Sequence, residues 1–122
     1  MKALLVEESP TVCAVMEYAL KHEGWDLTVA ETQEQAMELL SSEGETIDLV
    51  IVDHSLDHID GLSVLERSSK LNHNPKSILL SQDDRSEITD QAQNLGAICW
   101  LHKPVSMASL LKAITYSQKD DE

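Results

Sequence analysis

The sequence has little positive charge, few cysteines and no long apolar segment, and each shortage excludes a class of protein. It carries 9 Lys and Arg against 22 Asp and Glu, for a formal net charge of −13. This balance argues against binding to nucleic-acid phosphates or to an anionic membrane surface, because both need a basic patch. The first apolar run ends at two acidic residues after four positions, which is too short for a signal peptide or a membrane span.

The two cysteines, Cys13 and Cys99, each lie inside an apolar run, where they are expected to be small buried hydrophobic residues. Their spacing predicts neither a disulfide framework nor a zinc site, so a reducing cytoplasm is the expected location. Hydrophobic residues make up 42% of the chain, which is enough for a core. With 122 residues and no internal repeat, we expect one domain over residues 1–117 and a solvated acidic tail at 118–122.

Short apolar runs alternate with segments of helical periodicity. The predicted strands are residues 3–6, 25–30, 47–52, 77–80 and 97–101. The predicted helices begin at Pro10 and end at Gly24, begin at Thr32 and end at Gly44, cover 61–71 and 84–95, and begin after Ser106. Five strand–helix units predict an α/β fold, a doubly wound parallel sheet with helices on both faces, for which right-handed crossovers leave few topologies. If the sheet has the flavodoxin-like order 2-1-3-4-5, the order reverses between the first and third strands.

Polar or charged residues follow four of the predicted strands. They are Glu7 and Glu8 after the first, Asp53 after the third, Ser81 after the fourth and Lys103 after the fifth. The carboxyl ends of parallel strands share one edge, and ligands bind there where the strand order reverses, so Glu7, Glu8 and Asp53 are expected to converge. Three carboxylates need a cation, and their hard oxygens suit Mg²⁺. A carboxylate beside Mg²⁺, with Ser81 and Lys103 as donors, is suited to accept a phosphoryl group.

These residues, taken in order, resemble the receiver domain of two-component response regulators. Asp60-Gly61 shortly after Asp53 and Lys103-Pro104 after the fifth strand add to the resemblance, which covers essentially the whole chain. It implies that Asp53 is the phosphoacceptor for a histidine kinase or phosphotransfer protein. It also implies that no nucleic acid or membrane is bound by this domain itself, and that any catalysis is limited to its own phosphorylation and dephosphorylation.

The resemblance further assigns roles to the residues around Asp53. Glu7 and Glu8 would hold Mg²⁺ together with Asp53 and the backbone carbonyl of Ser55. Ser81 would turn its hydroxyl to the phosphoryl oxygens.

Two more implied features concern the fifth strand. Lys103 would pair with the phosphoryl group, and its bond to Pro104 would be cis. Trp100 would be the aromatic residue whose rotamer reports activation. Phosphorylation would bias the face formed by the fourth helix, the fifth strand and the fifth helix, and a downstream protein would dock there.

Two departures from the family pattern leave an alternative open. Glu8 stands where Asp is usual, and Asp57 stands where a proline is frequent. Both favour a degenerate receiver that acts as a phosphorylation-independent protein-interaction module. A flavin or cobalamin carrier is disfavoured, because no Asp-x-His-x-x-Gly run and no phosphate loop after the first strand is present. His54 and His58 would face one metal ion only if helical, and a loop is expected there.

Overall fold

The computed structural model describes residues 1–54, 58–82, 86–103 and 105–117. The strands are β1 (Lys2–Val6), β2 (Asp26–Ala30), β3 (Leu49–His54), β4 (Lys76–Ser81) and β5 (Ala97–His102). The helices are α1 (Pro10–His22), α2 (Gln33–Glu43), α3 (Gly61–Ser69), α4 (Ser86–Asn94) and α5 (Met107–Ser117). A 3₁₀ turn, Gly44–Thr46, links α2 to β3.

The five strands pair in parallel in the order β2-β1-β3-β4-β5, which confirms the predicted fold class and strand order. The chain moves outward from β1 to β2 and then returns to the other side of β1, so the reversal lies between β1 and β3. In this register Val6 lies beside both Ala30 and Val52. The residues that follow, Glu7 and Asp53, are therefore neighbours at the carboxyl edge.

Helices cover both faces of the sheet, because the central strands are apolar on both sides. On one face, α1 and α5 pack over alternate strand residues, among them Leu5, Ile51 and Leu80. On the other face, α2, α3 and α4 pack over the remaining residues, among them Leu4, Val52 and Leu79. Each fully buried Leu or Ile contributes roughly 1.5–3 kcal/mol relative to exposure, so these two layers hold the carboxyl edge in place.

Polar caps set the helix boundaries that the sequence predicted. Ser9 accepts a hydrogen bond from the Val12 N–H at 3.3 Å ahead of a helix that begins with Pro10. Thr32 accepts from the Gln35 N–H at 3.1 Å. The side chain of Gln35 accepts from the Glu31 N–H at 2.7 Å, one residue before the cap, so Thr32 and Gln35 form only half of a capping box.

Two glycines end α1 and α4 as expected. Gly24 has φ of 84° and Gly96 has φ of 96°, both in the left-handed region that L side chains rarely adopt. The chain can therefore turn directly into β2 and β5.

The structure moves several predicted boundaries. β3 covers Leu49–His54 instead of 47–52. Asp53 and His54 consequently lie inside the strand. β4 extends to Ser81, α3 ends at Ser69 instead of 71, and Trp25 lies just before β2. The predicted start of the fourth helix at 84 and the predicted tail at 118–122 lie outside the described residues.

None of the helices in the described residues is long and apolar enough to cross a membrane.

Candidate functional site

Three strands deliver three charged side chains to the carboxyl edge of the sheet. Glu7 directly follows β1, Asp53 is the next-to-last residue of β3, and Lys103 directly follows β5. The Lys103 backbone N–H donates to the carbonyl oxygen of Ser81 at 2.9 Å. This bond continues the β4–β5 pairing by one residue and fixes the point from which the Lys103 side chain reaches towards β3.

Asp53 and Lys103 form an ion pair at the edge. Nζ of Lys103 lies 2.9 Å from Oδ2 of Asp53. The Asp53 side chain is 3% exposed and that of Lys103 is 22% exposed, so the carboxylate is buried while the amine reaches it from the rim. A buried charge needs a partner, and Lys103 provides one for a single oxygen of Asp53.

Glu7 is the second buried carboxyl group, and it is held beside Asp53. Its backbone N–H donates to the Ala30 carbonyl at 3.0 Å, and its Oε2 accepts the Ser9 N–H at 3.1 Å. The pKa of Glu7 is raised to about 7, chiefly by burial and also by nearby Asp53, whereas the Ser9 hydrogen bond and the Lys103 charge lower it. Near neutral pH this group is therefore partly protonated, which relieves its repulsion with Asp53.

Two buried carboxyl oxygens at this edge lack a hydrogen-bond partner among the described residues, Oε1 of Glu7 and Oδ1 of Asp53. Such orphaned acceptors are costly. A hard cation is bound by one or two carboxylates together with water molecules, so this pair fits Mg²⁺. Within the described residues, no group of three or more His, Cys, Asp or Glu is arranged to hold a metal ion. The protein side chains alone thus offer two carboxylates, not a complete cage.

The remaining predicted residues occupy different positions. Glu8 is exposed, whereas Glu7 is buried beside Asp53. Ser81 is fully buried at the end of β4. Trp100 is half-buried in β5 and packs against the layer under α4. Its ring lies 6.2 Å from that of His102 in an edge-to-face arrangement.

Three residues of the sequence interpretation lie outside the described residues. They are Ser55, whose carbonyl was expected to bind the metal, Asp57, and Pro104 of the expected cis peptide bond.

His54 is a residue whose position the sequence interpretation missed. It was assigned to a loop, but it is the last residue of β3, and its Nδ1 accepts the Gly61 N–H at 2.9 Å. The pattern did contain one signal, since the glycine at the expected start of the third helix permits a close approach to a preceding strand.

The arrangement has the parts of a phosphoryl-accepting site. A buried carboxylate has one oxygen paired with an amine and another oxygen free, and a second carboxyl group stands beside it. Carboxylates of this kind act as nucleophiles in covalent phosphoryl transfer. Positioning and charge neutralisation then supply most of the catalysis.

Comparison with known proteins identifies the family to which the chain belongs. The family model of the response regulator receiver domain matches residues 3–115. The chain is 28% identical over 113 residues to the transcriptional regulatory protein TrcR of Mycobacterium tuberculosis, which covers 91% of this chain and 42% of that protein. It is 31% identical over 110 residues to the two-component response regulator ORR21 of Oryza sativa subsp. indica, covering 90% of this chain and 16% of the relative. The chain therefore spans less than half the length of these curated relatives.

Solved structures share the fold. The signal receiver domain of a response regulator from Bermanella marisrubri has a TM-score of 0.82 at 28% identity, covering 97% of this chain and 98% of that one. A CheX-CheY-BeF3-Mg+2 complex from Borrelia burgdorferi contains a chain with a TM-score of 0.88 at 20% identity, covering 98% of this chain and 90% of that one. At that identity the second likeness concerns the fold alone.

Proposed function

The chain belongs to the response regulator receiver domain family of two-component systems, and on that premise we propose that Asp53 accepts a phosphoryl group. The donor is the phosphohistidine of a histidine kinase or phosphotransfer protein, and the reaction depends on Mg²⁺. The modified domain then changes a face that a downstream protein recognises.

The observation that carries this proposal is the uneven pairing of the Asp53 carboxylate. One oxygen is bound to Lys103 at 2.9 Å, and the other is buried without a partner among the described residues. A purely structural buried carboxylate has both oxygens satisfied. The free oxygen of Asp53 is the atom available to attack phosphorus.

In the transfer step, this oxygen forms a bond to phosphorus while the bond from phosphorus to the donor imidazole nitrogen breaks. The nitrogen keeps the electron pair, and the imidazole leaves as a neutral ring that retains the proton already carried on its other nitrogen. Lys103 stays beside the site and pairs with the new phosphoryl charge, in keeping with the strength of charge-assisted hydrogen bonds. Ser81 supplies a hydroxyl at the end of β4 for the same oxygens.

Glu7 and Asp53 are the side chains that would hold Mg²⁺, with Glu8 at the exposed rim and the Ser55 carbonyl as the further ligands that the family resemblance implies. When bound, the ion neutralises negative charge on the carboxylates and on the incoming phosphoryl group. Glu7 gives up its proton for this role, since carboxylates bind metals in the ionised form. The unpaired Oε1 of Glu7, buried beside Asp53, supports the assignment.

The proposed output face comprises α4, β5 and α5. Every residue of β5 is at least partly exposed, and in α4 the buried side chains include only Ile88 and Ala92 among those described. Few buried contacts mean that local rearrangement costs little free energy. Trp100 lies at this face and is the proposed reporter of the switch.

We propose that the domain works in the cytoplasm, as two-component signalling from a kinase requires.

Intact-mass spectrometry after incubation with Mg²⁺ and a small-molecule phosphodonor tests the proposal. We expect one phosphoryl adduct on the wild type, none on Asp53→Asn, and a wild-type adduct on Asp48→Asn, the matched control at the other end of β3. All three proteins should show a cooperative thermal transition. An adduct that persists in Asp53→Asn contradicts the assignment. Absence of any adduct on the folded wild type would instead favour the phosphorylation-independent interaction module.

A further inference from the structure

His54 lies directly after Asp53 and holds the start of α3 with its side chain. Nδ1 of His54 accepts the backbone N–H of Gly61 at 2.9 Å. Side chains alternate along a strand, so Asp53 leaves β3 on the α1 and α5 face with Ile51, and His54 leaves it on the opposite face with Val52. The two neighbouring residues therefore lie on opposite faces of the sheet. Asp53 carries the carboxylate of the proposed site, and His54 is hydrogen-bonded to the next helix, α3.

Gly61 makes this attachment unusually close. A Cβ atom at position 61 would lie 3.0 Å from Cβ of His54 and 3.0 Å from Cδ1 of Leu79. Both separations are below ordinary carbon–carbon contact distances of about 3.5–4.0 Å, so glycine lets α3 begin directly against the end of β3. The Gly61 N–H belongs to the first turn, whose amides have no partner within the helix, and the imidazole supplies one.

The preceding amide is held by a different element. The Asp60 N–H donates to Oε1 of Gln33, at the start of α2, at 2.9 Å. The consecutive amides of Asp60 and Gly61 at the start of α3 therefore each donate to a side chain, one from α2 and one from β3. Of these two ties, the His54 bond leads back to the residue beside Asp53, so Gln33 provides a matched control.

The bond also defines the state of the imidazole. A ring nitrogen that accepts a hydrogen bond carries no proton, so His54 is neutral with its proton on Nε2. Nε2 is buried and has no hydrogen-bond partner among the described residues. A buried donor without an acceptor destabilises the folded state. An apolar side chain at position 54 would avoid this cost. The presence of an imidazole is therefore better explained by its hydrogen bond to the Gly61 N–H than by a contribution to fold stability.

We propose that His54 is a positioning residue for Asp53, an inference that rests on the proposed phosphoacceptor role. Its bond to Gly61 holds the end of β3 against the start of α3. This bond thereby also sets the direction in which Asp53 presents its free oxygen. Without the acceptor the end of the strand can relax. Displacement of a reacting group by about 1 Å can reduce a rate up to about a hundredfold.

The test compares His54→Leu, which lacks an acceptor, with His54→Asn, whose amide oxygen can replace Nδ1, and with Gln33→Ala. For each we would measure the melting temperature, the affinity for Mg²⁺ alone and the rate of adduct formation at saturating Mg²⁺ and phosphodonor. We expect His54→Leu to lose about tenfold or more in rate and in Mg²⁺ affinity with no drop in melting temperature. His54→Asn and Gln33→Ala should stay within about threefold of the wild type.

Values for His54→Leu close to those of the wild type, or an equal loss in His54→Leu and His54→Asn, would overturn the proposal. The Mg²⁺ titration needs no phosphoryl transfer, so it tests the positioning role of His54 separately from the phosphoacceptor role of Asp53. If the wild type accepts no phosphoryl group, the proposed function fails, but an affinity lost in His54→Leu and kept in His54→Asn still supports positioning.

A measurement on the wild type covers the case in which His54→Leu does not fold. The ¹⁵N chemical shifts of the His54 ring should report a protonated Nε2 and an unprotonated Nδ1 at neutral pH. A proton on Nδ1 is incompatible with acceptance of the Gly61 N–H and would refute the proposal.

Discussion

The two ends of β3 each carry an aspartate in a polar cluster, and the two clusters are built in opposite ways. At the amino end, Asp48 accepts the Lys2 N–H through Oδ2 at 2.9 Å, and its Oδ1 lies 2.9 Å from Nε2 of His73. Burial raises the pKa of Asp48, but these two partners outweigh it and hold the pKa below its usual range. At the carboxyl end, Asp53 has one free oxygen, and its neighbour Glu7 has a pKa raised to about 7.

The difference separates a structural carboxylate from a reactive one within a single strand. Asp48 joins β1, β3 and the turn before β4, and both of its oxygens are used for that purpose. Asp53 and Glu7 are more deeply buried and less well satisfied, which costs stability. Perturbed, incompletely paired carboxyl groups cluster at functional sites, and the comparison supports the carboxyl end as the proposed site.

The largest expected effect concerns the lysines at the two ends. Lys103→Met removes the amine beside Asp53 and should lower the rate of adduct formation by about a hundredfold, because preorganised charge at the reacting group is lost. Lys2→Met removes the surface ion pair with Glu43 at the opposite end and should leave the rate unchanged. Intact-mass spectrometry of samples quenched at successive times measures both rates. Equal losses in the two variants would erase the distinction between the ends.

Mg²⁺ affinity should depend on pH through Glu7. Because its pKa is about 7, a proton competes with the ion below that value, and affinity should fall roughly tenfold for each pH unit under it. Calorimetric titration at several pH values measures this slope. Glu7→Gln should bind more weakly and lose the slope, whereas Asp48→Asn should keep both; a flat profile in the wild type would contradict the assignment.

In the absence of metal, Glu7 at the carboxyl end of the sheet and Asp48 at the amino end should make the free energy of unfolding change with pH in opposite directions. The folded pKa of Glu7, about 7, exceeds its ordinary value of 4.5, so the folded state binds more protons between these pH values and loses stability as pH rises through them. Glu7→Gln should therefore be more stable than the wild type above pH 7, by about 1–3 kcal/mol. Urea unfolding across this range measures the difference, and a Glu7→Gln variant no more stable than the wild type at pH 8 would argue against the raised pKa.

The smallest effect is expected at Asp48. Its folded pKa lies below the ordinary value of 3.8, so its contribution is present above that pH and is lost as pH falls through the folded pKa. Asp48→Asn should cost about 1 kcal/mol near neutrality. The same urea series, extended to acid, should show the gap to the wild type closing; a gap that widens in acid would contradict this picture.

Much of the fold was predictable because the signals were local and periodic. Alternation of apolar runs with helical stripes predicted five strand–helix units, and Ser9, Gly24 and Gly96 marked real boundaries. The start of β3 was placed too early, since the apolar run was taken to begin at Ile47, whereas the strand begins at Leu49, after Asp48.

The site was predictable as far as topology determines it. Residues at the carboxyl ends of parallel strands must meet, so Glu7, Asp53 and Lys103 could be grouped from sequence. That Glu7 is buried while Glu8 is exposed depends on how the chain leaves β1, which composition does not reveal. The contact of His54 with Gly61 depends on how α3 returns to the sheet, and no local pattern encodes that packing.

Mapping the phosphoryl group is the most direct test of the central claim. Borohydride reduces an acyl phosphate to an alcohol, so an aspartyl phosphate becomes homoserine and can be located by peptide mass spectrometry. After incubation with Mg²⁺ and phosphodonor, we predict homoserine at position 53 and unmodified Asp at positions 48 and 60. Homoserine at either of those positions, with Asp53 intact, would contradict the account.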